Sequence, residues 1–125
     1  MYECNLVGVA RTKIAGTKSL APGKNVVRVE FRYDGGGLGK GATVSLFVND
    51  KKVGQGRLNT TQWVGKYSAD ETFDIGQDSG TPASETYRAP YRFTGTIEKI
   101  VIDTQPATLT ATDQEKLRAA ALAVE

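Results

Sequence analysis

The sequence contains no histidine. That removes the commonest general base, the commonest metal ligand and every Ser-His-Asp or Cys-His catalytic arrangement. Cysteine is nearly absent too. Cys4 stands alone, so no disulfide closes within the chain and no cysteine cluster can hold zinc. No apolar run approaches eighteen residues, which excludes a helical membrane span, and no membrane partner is expected. The N-terminus lacks the basic-then-apolar layout of a signal peptide, so the expectation is a soluble chain of unassigned location. Neither sign of charge dominates: 16 basic against 14 acidic residues leave +2. A polyanion-binding surface usually shows as a clustered basic patch, so no nucleic-acid partner is expected.

Proline is scarce, at four residues, but glycine reaches fourteen. Many turns are implied rather than a disordered linker. At 125 residues the chain is long enough to bury a core. Five of the glycines fall in residues 33–41, YDGGGLGKG, between two alternating runs. In residues 25–33, Val27, Val29, Phe31 and Tyr33 share one face and Arg28, Glu30 and Arg32 the other, the pattern of a half-buried strand. Residues 43–49 alternate again, with Val44, Leu46 and Val48 opposite Thr43, Ser45 and Phe47. A hairpin is expected at Asn49-Asp50-Lys51-Lys52, leading into a strand that carries Gly54 and Gly56. Two glycines at that spacing bare one face, which marks a bulge or the close approach of another backbone.

Elsewhere the pattern is thinner. Residues 2–14 read as one extended opening segment, with Tyr2, Cys4 and Leu6 on one side and Val7 and Val9 on the other. Ala21-Pro22-Gly23-Lys24 has type II turn chemistry. Residues 61–68 hold Trp63 and Tyr67, four apart; residues 72–76 read as a short alternating run, and residues 77–90 as a long loop rich in turn residues. Residues 91–103, YRFTGTIEKIVID, read as a last strand with apolar side chains on both faces, as in the centre of a sheet. Thr112-Asp113-Gln114-Glu115 matches a capping box and opens a helix over residues 113–124, with a thin stripe of Leu117, Ala121 and Val124. About seven strands and one helix give a mainly β fold, an antiparallel β-sandwich over residues 1–104 followed by a linker and C-terminal helix over 105–125.

The glycine tract invites a phosphate-loop reading, since residues 37–42 fit G-x-G-x-x-[GA] formally. That fingerprint works between a strand and a helix, where the helix N-terminus faces the phosphate. Here a strand follows, so an inter-strand connector is the expectation. Asp70, Glu71, Asp74, Asp78 and Glu85 gather acid in one region, but without EF-hand spacing they read as solvated turn acids, and no metal or cofactor is expected. The candidate ligand contacts are Trp63, Asp78, Tyr87 and Tyr91, aromatics able to stack on a glycan beside a carboxylate. Buried core is the competing use of those rings. Asn59-Thr60-Thr61 fits a glycosylation sequon, which carries little weight without a secretory leader.

Four tracts carry a family resemblance: YECNLVGVARTKI; LAPGKNVVRVEFRYDGGGLGKGATVSLFVNDKKVGQGRL; SADETFDIGQDSGTPASETY; and FTGTIEKIVID. In order along residues 2–125, with the tail DQEKLRAAALAVE, they resemble the C-terminal region of large bacterial arylsulfatases. The pairing of LFVNDKKVGQGRL with FTGTIEKIVI is also similar to laminin-G and concanavalin-like jelly rolls. The resemblance implies a jelly-roll β-sandwich that accompanies a sulfuric-ester hydrolase. It does not imply the hydrolase activity. That family converts a Cys or Ser in C/S-x-P-x-R to formylglycine and holds calcium with acids. Cys4 is followed by Asn5-Leu6-Val7-Gly8, without the Pro or the Arg, and no serine fits. No catalytic residue is therefore assigned. The expectation is a non-catalytic ancillary domain, either excised or free-standing, whose partner is a sulfatase catalytic domain or a second copy. A carbohydrate-binding module is the alternative.

Overall fold

The computed structural model describes residues 1–62, 73–105 and 109–122. They fall into two compact units, Met1–Gly65 with Thr108–Glu125, and Lys66–Ala107. The fold is mainly β, with antiparallel sheets and one C-terminal helix. Trp63, Tyr67, Asp70 and Glu71 lie outside the described residues.

The first unit is built on a three-stranded meander of β3 (Val27–Tyr33), β4 (Ala42–Val48) and β5 (Lys51–Leu58), in the order β3-β4-β5. The register sets Val29 against Leu46, Phe31 against Val44 and Tyr33 against Ala42. The β3–β4 pair is therefore apolar along one face, apart from the Tyr33 hydroxyl, while Lys51 opposes Val48 at the β5 end. The other carries Arg28, Glu30 and Arg32 beside Thr43, Ser45 and Phe47, with the Arg28 guanidinium 3.9 Å above the Phe47 ring. The tight β4–β5 turn places Asn49 at φ 48° and Asp50 at φ 62°, the left-handed pair that matches strand twist in two-residue hairpins.

A second hairpin covers part of the apolar face. It consists of β1 (Tyr2–Leu6) and β2 (Ala10–Ile14), paired from Tyr2↔Ile14 to Leu6↔Ala10. The opening segment is thus two strands rather than one. Its turn runs through Val7 at φ 42° and Gly8, closed by the Val9 N–H donating to the Leu6 carbonyl at 2.8 Å. Valine is β-branched and disfavours that conformation, which is why the turn is hard to see in the sequence.

Gly54 and Gly56 admit this hairpin. A Cβ on Gly54 would meet the Ala15 carbonyl oxygen at 2.5 Å, and one on Gly56 would meet Ile14 Cγ1 at 2.6 Å. The bulge is present as well: Leu46 opposes Gly54 and Phe47 opposes Lys52, so Val53 is the extra residue. Its carbonyl accepts the Thr17 N–H at 3.1 Å. Between the layers lie the buried Ile14, Ala42, Val44, Leu46 and Leu58, with Tyr2, Cys4 and Val53 against them. The cover stops short of β3, where Val27, Val29 and Phe31 remain 47–57% exposed.

The glycine tract is the β3–β4 connector, with positive φ at Gly35, Gly36, Gly37 and Gly39 that L side chains rarely adopt. The protein's own side chains occupy it. The Tyr33 hydroxyl donates to the Gly37 carbonyl and accepts the Lys40 N–H at 2.9 Å. Thr60 and Thr61 donate to the Gly39 and Lys40 carbonyls. Arg57 clasps Asp34 through two hydrogen bonds of 2.8 and 2.6 Å. Those bonds, helped by the charges of Arg57 and Arg32, hold the Asp34 carboxyl below its ordinary value against a smaller desolvation effect.

The helix α1 (Ala111–Leu122) is tied to the same connector. Asp113, 5% exposed, accepts the Leu38 N–H at 3.4 Å. It also accepts the Thr110 N–H and hydroxyl, while its own N–H donates to the Thr110 oxygen. This reciprocal pair is a capping box, placed two residues before the Thr112–Glu115 expectation. A carboxylate against the Leu38 N–H is the opposite of what a phosphate loop presents.

In the second unit, β6 (Gln77–Asp78) and β7 (Tyr91–Arg92) form a two-stranded ladder. The long last strand expected over residues 91–103 is reduced to its first two residues. Ile97, Ile100, Val101 and Ile102 are 43–72% exposed and carry no ladder. Residues 73–76 form no strand either. Alternation alone creates an apolar surface, and a strand needs a neighbour to take its N–H and C=O groups.

Candidate functional site

Three of the four candidate contacts come together in the second unit. Asp78 pairs with Tyr91 across the β6–β7 ladder, and the chain between them returns as a loop that packs on itself. Asp78 directs that return. Its Oδ2 accepts the Ala83 N–H at 3.1 Å and the Tyr87 hydroxyl. Asp74 acts in the same way earlier in the chain, accepting the Ser79 N–H at 2.8 Å and the Ser79 hydroxyl. The buried Ser84 shares a 2.9 Å hydrogen bond with Thr86. Short acidic side chains favour such local bonds to the backbone, which is why residues 73–82 form a folded loop around the two-residue β6 instead of a longer strand.

The Tyr87 and Tyr91 rings then stack, with centroids 4.6 Å apart and planes inclined by 26°. The hydrogen bond to Asp78, with burial and the carboxylate charge in support, raises the Tyr87 phenol above its ordinary value. It stays protonated and donating at neutral pH. Tyr91 is 54% exposed. An aromatic pair beside an oriented carboxylate can stack on a ring and accept hydrogen bonds from its hydroxyls. Trp63, the fourth candidate, lies outside the described residues.

A separate hollow of about 310 Å³ is lined by Ile75, Gln77, Arg92, Phe93 and Ile97. None of these residues stands out in the sequence as a candidate contact. Gln77 and Arg92 are the other cross-strand pair of the ladder, and Arg92 gives the hollow a cationic wall. None of Asp78, Tyr87 or Tyr91 lines it. A two-residue ladder has no periodicity from which this pairing could be read.

The chain has no histidine, and its single cysteine is Cys4 in β1. Among the described residues, no group of three or more Cys, Asp or Glu side chains is placed to hold a metal ion. No described helix is long and apolar enough to cross a membrane. No family model, curated protein or solved structure matches the chain.

Proposed function

We propose that this chain is a non-catalytic ancillary module of an arylsulfatase-like sulfuric-ester hydrolase, of bacterial type. Its role is to pack on a catalytic domain and shape the approach to it. The antiparallel meander and the β1–β2 hairpin support the mainly β part of the fold that the resemblance implies. The observation that carries the reading is the segment from Phe93 to Ile102. Five large apolar side chains there are 43–72% exposed, in the tract that resembles the closing strand of such a sandwich. An apolar run of this kind is normally covered by a partner surface. The absence of histidine and of C/S-x-P-x-R supports a role without chemistry.

Two observations test it. The isolated chain will leave an aryl sulfate unhydrolysed, and the adjoining coding sequence will encode a sulfatase catalytic domain. Turnover by the chain, or an unrelated neighbouring frame, overturns the reading.

A second reading, a carbohydrate-binding module, is favoured by the meeting of Asp78, Tyr87 and Tyr91. It predicts that neutral or sulfated oligosaccharides quench tyrosine fluorescence and that Tyr91→Ala abolishes the response. A glycan array without hits removes it.

A further inference from the structure

The strand β3 is an edge strand, and the hydrogen-bond alternation says what its outer edge offers. The Asp34 N–H donates to the Gly41 carbonyl and the Asn49 N–H to the Val26 carbonyl. In an antiparallel pair, bonded positions recur every second residue. Residues 26, 28, 30, 32 and 34 therefore face β4 with their backbone groups. The N–H and C=O groups of Val27, Val29, Phe31 and Tyr33 point the other way. Among the described residues, no strand pairs with that edge. The edge also lacks the usual protections. It is seven residues long, with no proline and no lysine, and the sheet's bulge lies between β4 and β5 instead.

We propose that β3 pairs antiparallel with β3 of a second copy of this chain, centred on Phe31, to make a continuous six-stranded sheet. Charge complementarity selects both the partner and the register. Centring on Glu30 would set Glu30 against Glu30 and Arg28 against Arg32, and like charges directly opposed are unfavourable. Centring on Phe31 sets Glu30 against Arg32, twice by symmetry, and brings Arg28 opposite Asp34, just past the strand end, whose carboxylate Arg57 already holds. Centring on Val29 matches only Arg28 with Glu30. In the Phe31 register the outward groups of Val29, Phe31 and Tyr33 meet their counterparts. Phe31 lies beside Phe31 and Val29 beside Tyr33 on the apolar face. An isologous contact of this kind closes on itself as a dimer. The inference uses β3 alone and is independent of the sulfatase reading.

Charge reversal tests it. Sedimentation velocity over a concentration series should find a dimer for the native chain. Glu30→Arg places Arg against Arg32, and Arg32→Glu places Glu against Glu30. Each alone should weaken the dimer about tenfold or more, while an equimolar mixture of the two should restore it as a heterodimer. Val29→Pro removes only an outward N–H and should also give a monomer. Circular dichroism identical to the native chain keeps misfolding out of the result. A native chain that stays monomeric at high concentration overturns the proposal. So does a dimer indifferent to the reversals, as face-to-face apolar contact would produce, or a mixture that fails to restore association.

Discussion

The two compact units hold their chain in different ways. In the unit of the meander, backbone ladders do the work: seven pairs join β3 to β4, and β5 is joined to β4 by seven more across the Val53 bulge. A hairpin then closes over one face and buries Val44 completely. In the unit of residues 66–107, the described ladder is two pairs long. Its loop is held by side chains, chiefly Asp74, Asp78, Ser84 and the stacked tyrosines. A ladder over a core makes a cooperative scaffold, whereas a loop held by polar contacts is the material from which recognition surfaces are made.

This contrast can be broken from either side. The largest effect is expected in the core, where Leu46→Ala should cost about 3 kcal/mol in chemical denaturation. The apolar counterpart outside the core, Ile100→Ala, should stay within about 0.5 kcal/mol, since the side chain is already 47% exposed. Equal costs would mean that residues 97–102 are covered in solution. Next comes Gly54→Ala, which drives a Cβ into the Ala15 carbonyl and should cost about 2 kcal/mol by forcing the hairpin off the sheet.

Smaller effects sharpen the loop. Tyr87→Phe removes the donor to Asp78 and should cost about 1 kcal/mol, read in the Tyr91 environment by fluorescence before global unfolding. Val7→Asn relieves the left-handed valine of the β1–β2 turn and should raise stability by roughly 0.5 kcal/mol.

Acidity separates the units as well. The Asp34 and Asp113 carboxyls are held below their ordinary values by hydrogen bonds, from Arg57 and from Thr110 respectively. Their contribution is complete above the unfolded carboxylate value and disappears as pH falls through the lowered ones. The Tyr87 phenol is raised, so its contribution holds below about pH 10 and disappears as pH rises through the higher folded value. Nuclear magnetic resonance across pH should see the connector and helix loosen first in acid, and in alkali both the tyrosine loop and the start of β1, where burial raises the Tyr2 phenol as well.

The sequence shows the meander because β3 keeps strict alternation over seven residues and β4 keeps it up to Phe47, and because Asn49-Asp50 marks a tight turn and Gly54/Gly56 a bared face. It misplaces the cap because two threonines, Thr110 and Thr112, each precede an acid by three residues. A tertiary bond from Leu38 to Asp113 decides between them, and no local signal carries it. The isoleucines of residues 97–102 advertise a strand without naming a neighbour. Asp78, Tyr87 and Tyr91 are legible as residue types, but their meeting depends on a register that two residues cannot encode.

Amide hydrogen exchange on the intact chain tests the contrast most directly. Amides of β4 should be protected to the level of global unfolding. Those of residues 94–103 should exchange near the unprotected rate, with protection in the loop confined to donors such as Ser79, Ala83 and Phe93. Uniform protection across β4 and residues 94–103 would contradict the account, because it would require a second ladder and a second core.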